Sequence, residues 1–167
     1  HLEVNAGTTL DMTAPTIDIN ASTEVTIDTD TATFGSANSK DPLVIIKNTT
    51  NDANGARLRF IKDKGAAGAA DDDIGLIQFY GDDANQDQVE FARIRARVAV
   101  ETNGQEGGQL DFQVASHDGE MNTGLRLKDG SAEDEIDVTI GKGADSVTTI
   151  SGDITITGGI VQGSDAT

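Results

Sequence analysis

Residues 2–34 repeat one short pattern, and this repeat limits the possible folds more than any other feature of the chain. Pairs of apolar residues separated by one polar residue begin at positions 2, 10, 17, 25 and 32. The five pairs are Leu2/Val4, Leu10/Met12, Ile17/Ile19, Val25/Ile27 and Ala32/Phe34. Both members of such a pair lie on one face of a β-strand. Strands this short cannot bury their pairs within one sheet of one chain, so the repeat predicts a winding fold or association with other copies.

A similar spacing of apolar residues occurs near both ends of the chain. In the first segment we expect short strands at residues 10–12, 16–20, 24–28 and 31–34, because threonine favours strands and the intervening polar residues favour turns. Apolar residues recur less regularly near the other end, at Ile136, Val138, Ile140, Val147, Ile154, Ile156 and Val161. We interpret the two ends as segments of a fibrous shaft.

The basic residues divide the chain into three zones. Eleven of the twelve lysines and arginines lie between Lys40 and Lys128, and residues 1–39 contain none. We therefore expect an N-terminal shaft at 1–39, a β-knob domain at 40–130 and a C-terminal shaft at 131–167. Residues 1–3 are typical of the remnant of an expression tag, which together with the repeats predicts a piece of a longer polypeptide.

The composition argues against a single globular core, and the charge limits the partners. Apolar residues make up 36% of the chain, whereas they usually approach half of a globular domain. A net charge of −17 repels nucleic acid and anionic membranes, so we expect neither nucleic-acid binding nor membrane insertion. The sequence has no cysteine for disulfides or thiolate zinc sites, and no apolar run that could span a membrane.

The middle zone has the pattern of an antiparallel β-sheet. Asn-Gly and Asp-Gly pairs stand between alternating apolar residues, where they favour hairpin turns. We expect a meander of strands at residues 43–48, 56–62, 75–80, 88–101, 108–116 and 123–128. Phe91, Ile94 and Val98 also have the spacing of a helix face. The strand is favoured there, because everything around it is β and Asn103-Gly104 ends it as a turn.

No catalytic set can be recognised in the sequence. His117 is the one usable histidine, and we interpret it as a solvated turn residue because it stands beside Asp118-Gly119. There is no nucleophile elbow and no phosphate-binding loop. The abundant carboxylates leave a glycosidase pair open on residue type alone, but acids in so acidic a chain are mostly solvated. We therefore expect no enzyme activity, no catalytic residue and no cofactor-binding residue.

The best candidate for a metal site is an acidic segment in the middle zone. Asp83, Asn85 and Asp87 have the spacing of oxygen ligands in a calcium loop. The match then fails, because Gln88 and Ile94 occupy the positions of the sharp-turn glycine and the bidentate glutamate. A polar hairpin is the preferred interpretation, and the run Asp71-Asp72-Asp73 is a second candidate with the same alternative.

Three arginines form a basic stripe on one strand. Arg93, Arg95 and Arg97 alternate with small and apolar residues, so they share one face. This stripe is a candidate ligand surface for an anionic glycan, or a candidate interface between subunits. The alternative is pairing with acids across strands or between subunits, for example with Glu90, Glu101 and Asp111. Pairing is the favoured interpretation, because the chain contains 29 acidic residues.

Several motifs of the middle zone resemble modules of bacteriophage tail fibres and tail appendages. They are the segments DPLVIIKNT at 41–49, ARLRF at 56–60, IGLIQFYGDD at 74–83, FARIRA at 91–96, NGQEGGQLDF at 103–112 and GLRLKDG at 124–130. The flanking repeats are similar to the roughly octad repeats of phage spikes, in which three chains wind into a triangular β-prism. No segment matches the intramolecular chaperone with which such fibres often end.

The resemblance implies an all-β fold: an elongated homotrimer in which short triangular β-helix or prism shafts flank an antiparallel β-sandwich-like knob. It implies a structural segment of a virion tail, located outside the host cell and contributing to virion architecture and host attachment. The expected partners are two further copies of the chain, other tail proteins, and a host surface glycan or protein. Two alternatives are part of a tailspike-like enzyme that degrades polysaccharide and the stalk of a bacterial adhesin.

Overall fold

The computed structural model describes residues 7, 9–21 and 23–159, and the chain divides into two units, His1–Asn54 and Gly55–Thr167. Three sequence predictions fall on residues outside these ranges. They are the apolar pair Leu2/Val4, the tag remnant at 1–3 and the apolar residue Val161.

The first unit has local turns but no regular secondary structure in its described residues. None of its described residues belongs to a helix or a strand, and all of its described side chains are exposed. In one turn, Asn48 Oδ1 accepts the backbone N–H of Thr50 at 2.9 Å, and Asn48 Nδ2 donates to the Asn54 carbonyl at 3.0 Å. The strands predicted within residues 10–34 and at 43–48 do not form in the single chain. A strand needs a hydrogen-bonded neighbour, and these segments have none among the described residues.

The second unit contains a five-stranded antiparallel sheet. Its strands are β1 (Asp73–Asp82), β2 (Gln88–Val100), β3 (Gly107–Ala115), β4 (Met121–Asp129) and β5 (Ile136–Ile140), and each pairs with the next one along the chain. The predicted all-β class and the antiparallel meander are confirmed, and the described part of the chain contains no helix. Short loops explain this order, because a chain that reverses within a few residues pairs with the strand it has just formed.

Two segments differ from the strand prediction. Residues 56–62 are not a strand, and Phe60 instead lies so close to β1 that a Cβ added at Gly75 would be 2.9 Å from the Phe60 Cβ. Residues 136–140 form β5 in the sheet, although the sequence pattern placed them in the second shaft. Their alternation fits either position, and the short loop after β4 brings them beside Leu125 and Leu127.

The register gives the sheet one apolar face and one polar face. One row across the five strands contains Ile77, Ile94, Phe112, Leu125 and Ile140, and the adjacent row contains Leu76, Arg95, Asp111, Arg126 and Thr139. We define the apolar face by its exposed members, Ile77, Phe79, Phe112, Val114, Val138 and Ile140. We define the arginine face by Arg93, Arg95, Arg97, Asp111 and Arg126.

Burial on the two faces is the reverse of that in a typical antiparallel sheet, which buries its apolar side. No hydrophobic side chain is buried in the described part of the chain, and the buried polar side chains are Gln109, Asp111 and Gln113 on β3. Large apolar side chains stand exposed on the opposite side of the same strand, for example Phe112 and Val114. The described residues of the single chain therefore form a polar layer but no apolar core.

Candidate functional site

The arginine face is the most highly organised cluster of polar side chains in the described residues. The register places Arg93 opposite Gln113, Arg95 opposite Asp111, and Arg97 opposite Gln109. Strand alternation explains why the three arginines share a face, and antiparallel pairing with β3 places a carboxylate and two amides beside them. The sequence prediction of one basic face on this strand is therefore realised in the fold.

Asp111 is the centre of this face, and its side chain is 0% exposed. Arg126 Nε donates to its Oδ1 at 2.8 Å, while Gln109 Nε2 and Arg97 Nη2 donate to its Oδ2 at 2.8 and 3.1 Å. Burial by itself raises the pKa of Asp111, but the hydrogen bonds from Arg126, Gln109 and Arg97 outweigh burial, and the pKa lies below its ordinary value. Asp111 is therefore an ionised carboxylate held by two guanidinium groups.

The start of β1 and the loop before it supply a second set of acids to basic side chains. Arg95 Nε and Nη2 donate to the two carboxylate oxygens of Asp73 at 2.6 and 2.9 Å. This two-point hydrogen bond lowers the pKa of Asp73 and raises the pKa of Arg95. Arg97 Nη1 donates to Asp71 Oδ1 at 3.0 Å, and the Lys64 ammonium donates to Asp72 Oδ2 at 2.6 Å. All three acids of the second metal candidate therefore bind a basic side chain.

Arg93 completes the stripe with a neutral partner and a distant acid. Its Nε donates to Gln113 Oε1 at 2.6 Å, and its Nη1 lies 3.8 Å from Glu90 Oε2. Each arginine that the sequence singled out as a ligand or interface candidate thus has an acceptor in its own chain. These contacts favour the pairing interpretation for Glu90 and Asp111, whereas Glu101 forms no ion pair among the described residues.

Sequence reasoning did not identify Asp71, Asp73, Gln113 and Arg126 as members of this cluster. A usable signal was present, because the run of three aspartates precedes the strand that pairs with the arginine strand. The bulge at Ile74 shifts the register and places Asp73 opposite Arg97. Such a bulge cannot be read from alternation alone, so the partners could not be assigned residue by residue.

The calcium candidate forms the turn between β1 and β2. Asp83 Oδ1 accepts the backbone N–H of Asn85 at 2.8 Å and of Asp87 at 3.0 Å, and the Asp83 N–H donates to the Asp87 carbonyl at 2.9 Å. Gln86 has a φ of 68°, so the segment closes as a tight polar hairpin. Within the described residues, no group of three or more acidic or histidine side chains has a metal-binding arrangement. A calcium ion at Asp83, Asn85 and Asp87 stays a prediction.

His117 lies exposed in the turn between β3 and β4, beside an open cleft of about 600 Å³. Tyr80, Asp83, Glu90 and Phe91 also line this cleft. Asp83 closes the β1–β2 turn and Glu90 Oε2 faces Arg93, whereas Glu90 Oε1 is buried without a hydrogen-bond partner. The cleft therefore combines aromatic surface with carboxylates that already serve the hairpin and the arginine face.

None of the described residues forms a helix long and apolar enough to cross a bilayer. Comparisons of the chain with protein-family models, with curated proteins and with solved structures found no match.

Proposed function

We propose that this chain is a structural segment of a bacteriophage tail fibre or tail appendage, acting as a homotrimer in virion architecture and host-cell attachment. Two lines support the proposal. The motifs within residues 41–130 resemble modules of such fibres, and the repeats that flank them resemble the shafts of phage spikes.

One observation carries the self-association part of the proposal: the described residues bury no hydrophobic side chain. Burying a valine, leucine, isoleucine or phenylalanine side chain contributes about 1.5–3 kcal/mol, and folding requires such gains to offset conformational entropy. Large apolar side chains stay exposed along the described chain, from Leu10 to Ile156. A chain with this distribution gains its core by packing against further copies of itself.

In the proposed trimer the short apolar pairs of the three chains form triangular prism shafts around a common axis. Strands absent from the single chain, such as those at residues 16–20 and 24–28, form there by pairing with the neighbouring chains. The five-stranded sheets form the knob, in which a sandwich-like core arises between chains. Other tail proteins adjoin the segment along the virion, and a host glycan or protein is its expected receptor.

Sedimentation analysis and host-cell binding test this proposal together. Sedimentation should give the mass of three chains and the frictional ratio of an elongated particle. The labelled protein should bind saturably to cells of a susceptible bacterial strain. Ile19→Asp should disturb the N-terminal shaft and leave the sheet folded, whereas Asn20→Asp, which adds the same charge on the other face of that strand, should leave the shaft intact. A compact monomer in the sedimentation analysis would refute the proposed trimeric fibre.

A polysaccharide-degradation assay distinguishes the enzyme alternative. Purified capsular and cell-wall glycans should release no new reducing ends when incubated with the trimer. Release of such ends, abolished by a substitution in the cleft beside His117, would replace the structural role with a tailspike-like hydrolase.

A further inference from the structure

Among the described residues of its own unit, the apolar face of the sheet is covered only at one edge. Phe60 lies over Gly75 at the β1 side, and beyond it the six defining residues from Ile77 to Ile140 remain exposed. A contiguous apolar patch on a polar, highly charged chain marks a surface that another molecule covers. We infer that copies of this chain pack together through this face, and that the arginine face is directed away from the contact.

The absence of charge on this face fits a second copy as the occupant. Two copies with a charge of −17 each repel wherever acidic surfaces meet, so a contact between identical chains needs a neutral face. The three central rows of the apolar face contain only uncharged residues. The row at one side includes Phe79, Ala92 and Val114, and the row at the other side includes Ala96, Leu110 and Val138. An anionic lipid surface would be repelled by the same net charge.

The opposite face is already closed by its own side chains. Asp111 is fully buried beneath Arg97, Arg126 and Gln109, and the arginines along β2 bind acceptors of the same chain. A contact through this face would have to break ion pairs or desolvate them, and both are costly. The inferred interface therefore lies on the side of β2 opposite the arginine stripe, which is the interface candidate from the sequence.

The inference rests on the self-association in the proposed function, but it specifies the surface, and neighbouring residues on opposite faces test it. Val138 and Thr139 on β5 are both exposed in the single chain, Val138 by 55%. Because the chain has no cysteine, Val138→Cys and Thr139→Cys each introduce a single reactive thiol. We expect the thiol at 138 to react with maleimide at least about tenfold more slowly than the thiol at 139, a difference that vanishes in denaturant.

Charge substitutions at both edges of the sheet complete the experiment. Val138→Asp and Phe79→Asp should raise the dissociation constant of the assembly by at least about tenfold, whereas Thr139→Asp and Gln78→Asp should leave it within about twofold. Far-ultraviolet circular dichroism should show the sheet signal in all four variants, because all four positions are exposed in the single chain.

Each outcome bears on a separate claim. A trimer in which the thiols at 138 and 139 react equally fast would overturn the inferred face while the fibre proposal stands. A monomer in which position 138 is protected would also overturn it, since a segment of the same chain would then cover the face. A trimer that Val138→Asp dissociates, but that binds no host cell, would support the face and contradict the attachment role.

Discussion

Asp111→Asn tests whether the buried carboxylate stabilises the sheet, because it removes one charge and keeps the shape of the side chain. The carboxylate is fully buried and accepts hydrogen bonds from Arg126, Arg97 and Gln109 at 2.8–3.1 Å. Removing one partner from a buried ion pair costs about 3–5 kcal/mol, mainly because a charge is left without compensation. We expect a loss of about 3 kcal/mol in the free energy of unfolding, the lower end of that range.

The lower end applies because the two arginines keep other sources of solvation. The Arg126 side chain is 37% exposed, and Arg97 also binds Asp71. Water and the second carboxylate can therefore stabilise the guanidinium groups once Asp111 has lost its charge.

Asp71→Asn is the matched control, because it makes the same chemical change at a second acid bound to the same arginine. The Asp71 side chain is 80% exposed and lies 3.0 Å from Arg97, against 3.1 Å for Asp111. Asparagine also tolerates the φ of 66° at this position. An exposed pair contributes less than about 1 kcal/mol, so the control should change stability only slightly.

Urea unfolding at pH 7, followed by circular dichroism, measures both variants. Protomer concentration has to be equal in all samples, because association raises apparent stability. If Asp71→Asn destabilises the protein as much as Asp111→Asn, burial does not determine the strength of these pairs, and the reasoning fails.

Three further predictions concern acid stability and two loops. Because the pKa of folded Asp111 lies below its ordinary 3.8, ionised Asp111 stabilises the fold above that pH. This contribution disappears as the pH falls through the folded-state pKa. Lowering the pH should therefore reduce the free energy of unfolding of Asp111→Asn less than that of the wild type. Asp83→Ala should cost about 1 kcal/mol by freeing two backbone N–H groups, while Asn85→Ala should be close to neutral in the same urea assay. If Asp83 instead holds calcium, calorimetric titration with millimolar calcium should release heat. Glu135→Ala should accelerate hydrogen exchange at the backbone amides of Ser131 and Ala132, which donate to its carboxylate, and Glu133→Ala should not. Equal protection of these amides in both variants would contradict this role of the Glu135 carboxylate.

The sheet could be predicted from the sequence because its signals are local. Alternation between Gln88 and Val100 identified a strand, and glycine-containing turns identified the hairpins that order the meander. The fifth strand was assigned to the shaft, because Ile136, Val138 and Ile140 follow the same two-residue period in either environment. Only the position of the loop after β4 distinguishes the two, and a periodicity does not encode that position.

The arginine face was foreseen in part for a similar reason. The alternation on β2 is sufficient to group the three arginines, and the excess of acids makes pairing the favoured use. The partners depend on register, and the bulge at Ile74 changes the register by one residue. The burial of the polar face could not be predicted from the sequence. Which face of a sheet is covered depends on how all the strands and loops pack together, and the alternation within one strand does not show this.

The closed polar layer has a consequence for the order in which the molecule assembles. A one-residue slip of β3 would move Asp111 to the apolar side and separate it from both arginines, so the network selects one register before any apolar contact exists. The sheet, whose strands pair only with their sequence neighbours, can then form early in folding. Residues 9–21 and 23–54 have no comparable network of hydrogen bonds, so in the proposed trimer we expect their strands to form only when chains associate. We expect the preformed sheets to associate first, at a rate that depends on protein concentration. The acidic repeats of the associated chains should then pair in a step whose rate is independent of concentration.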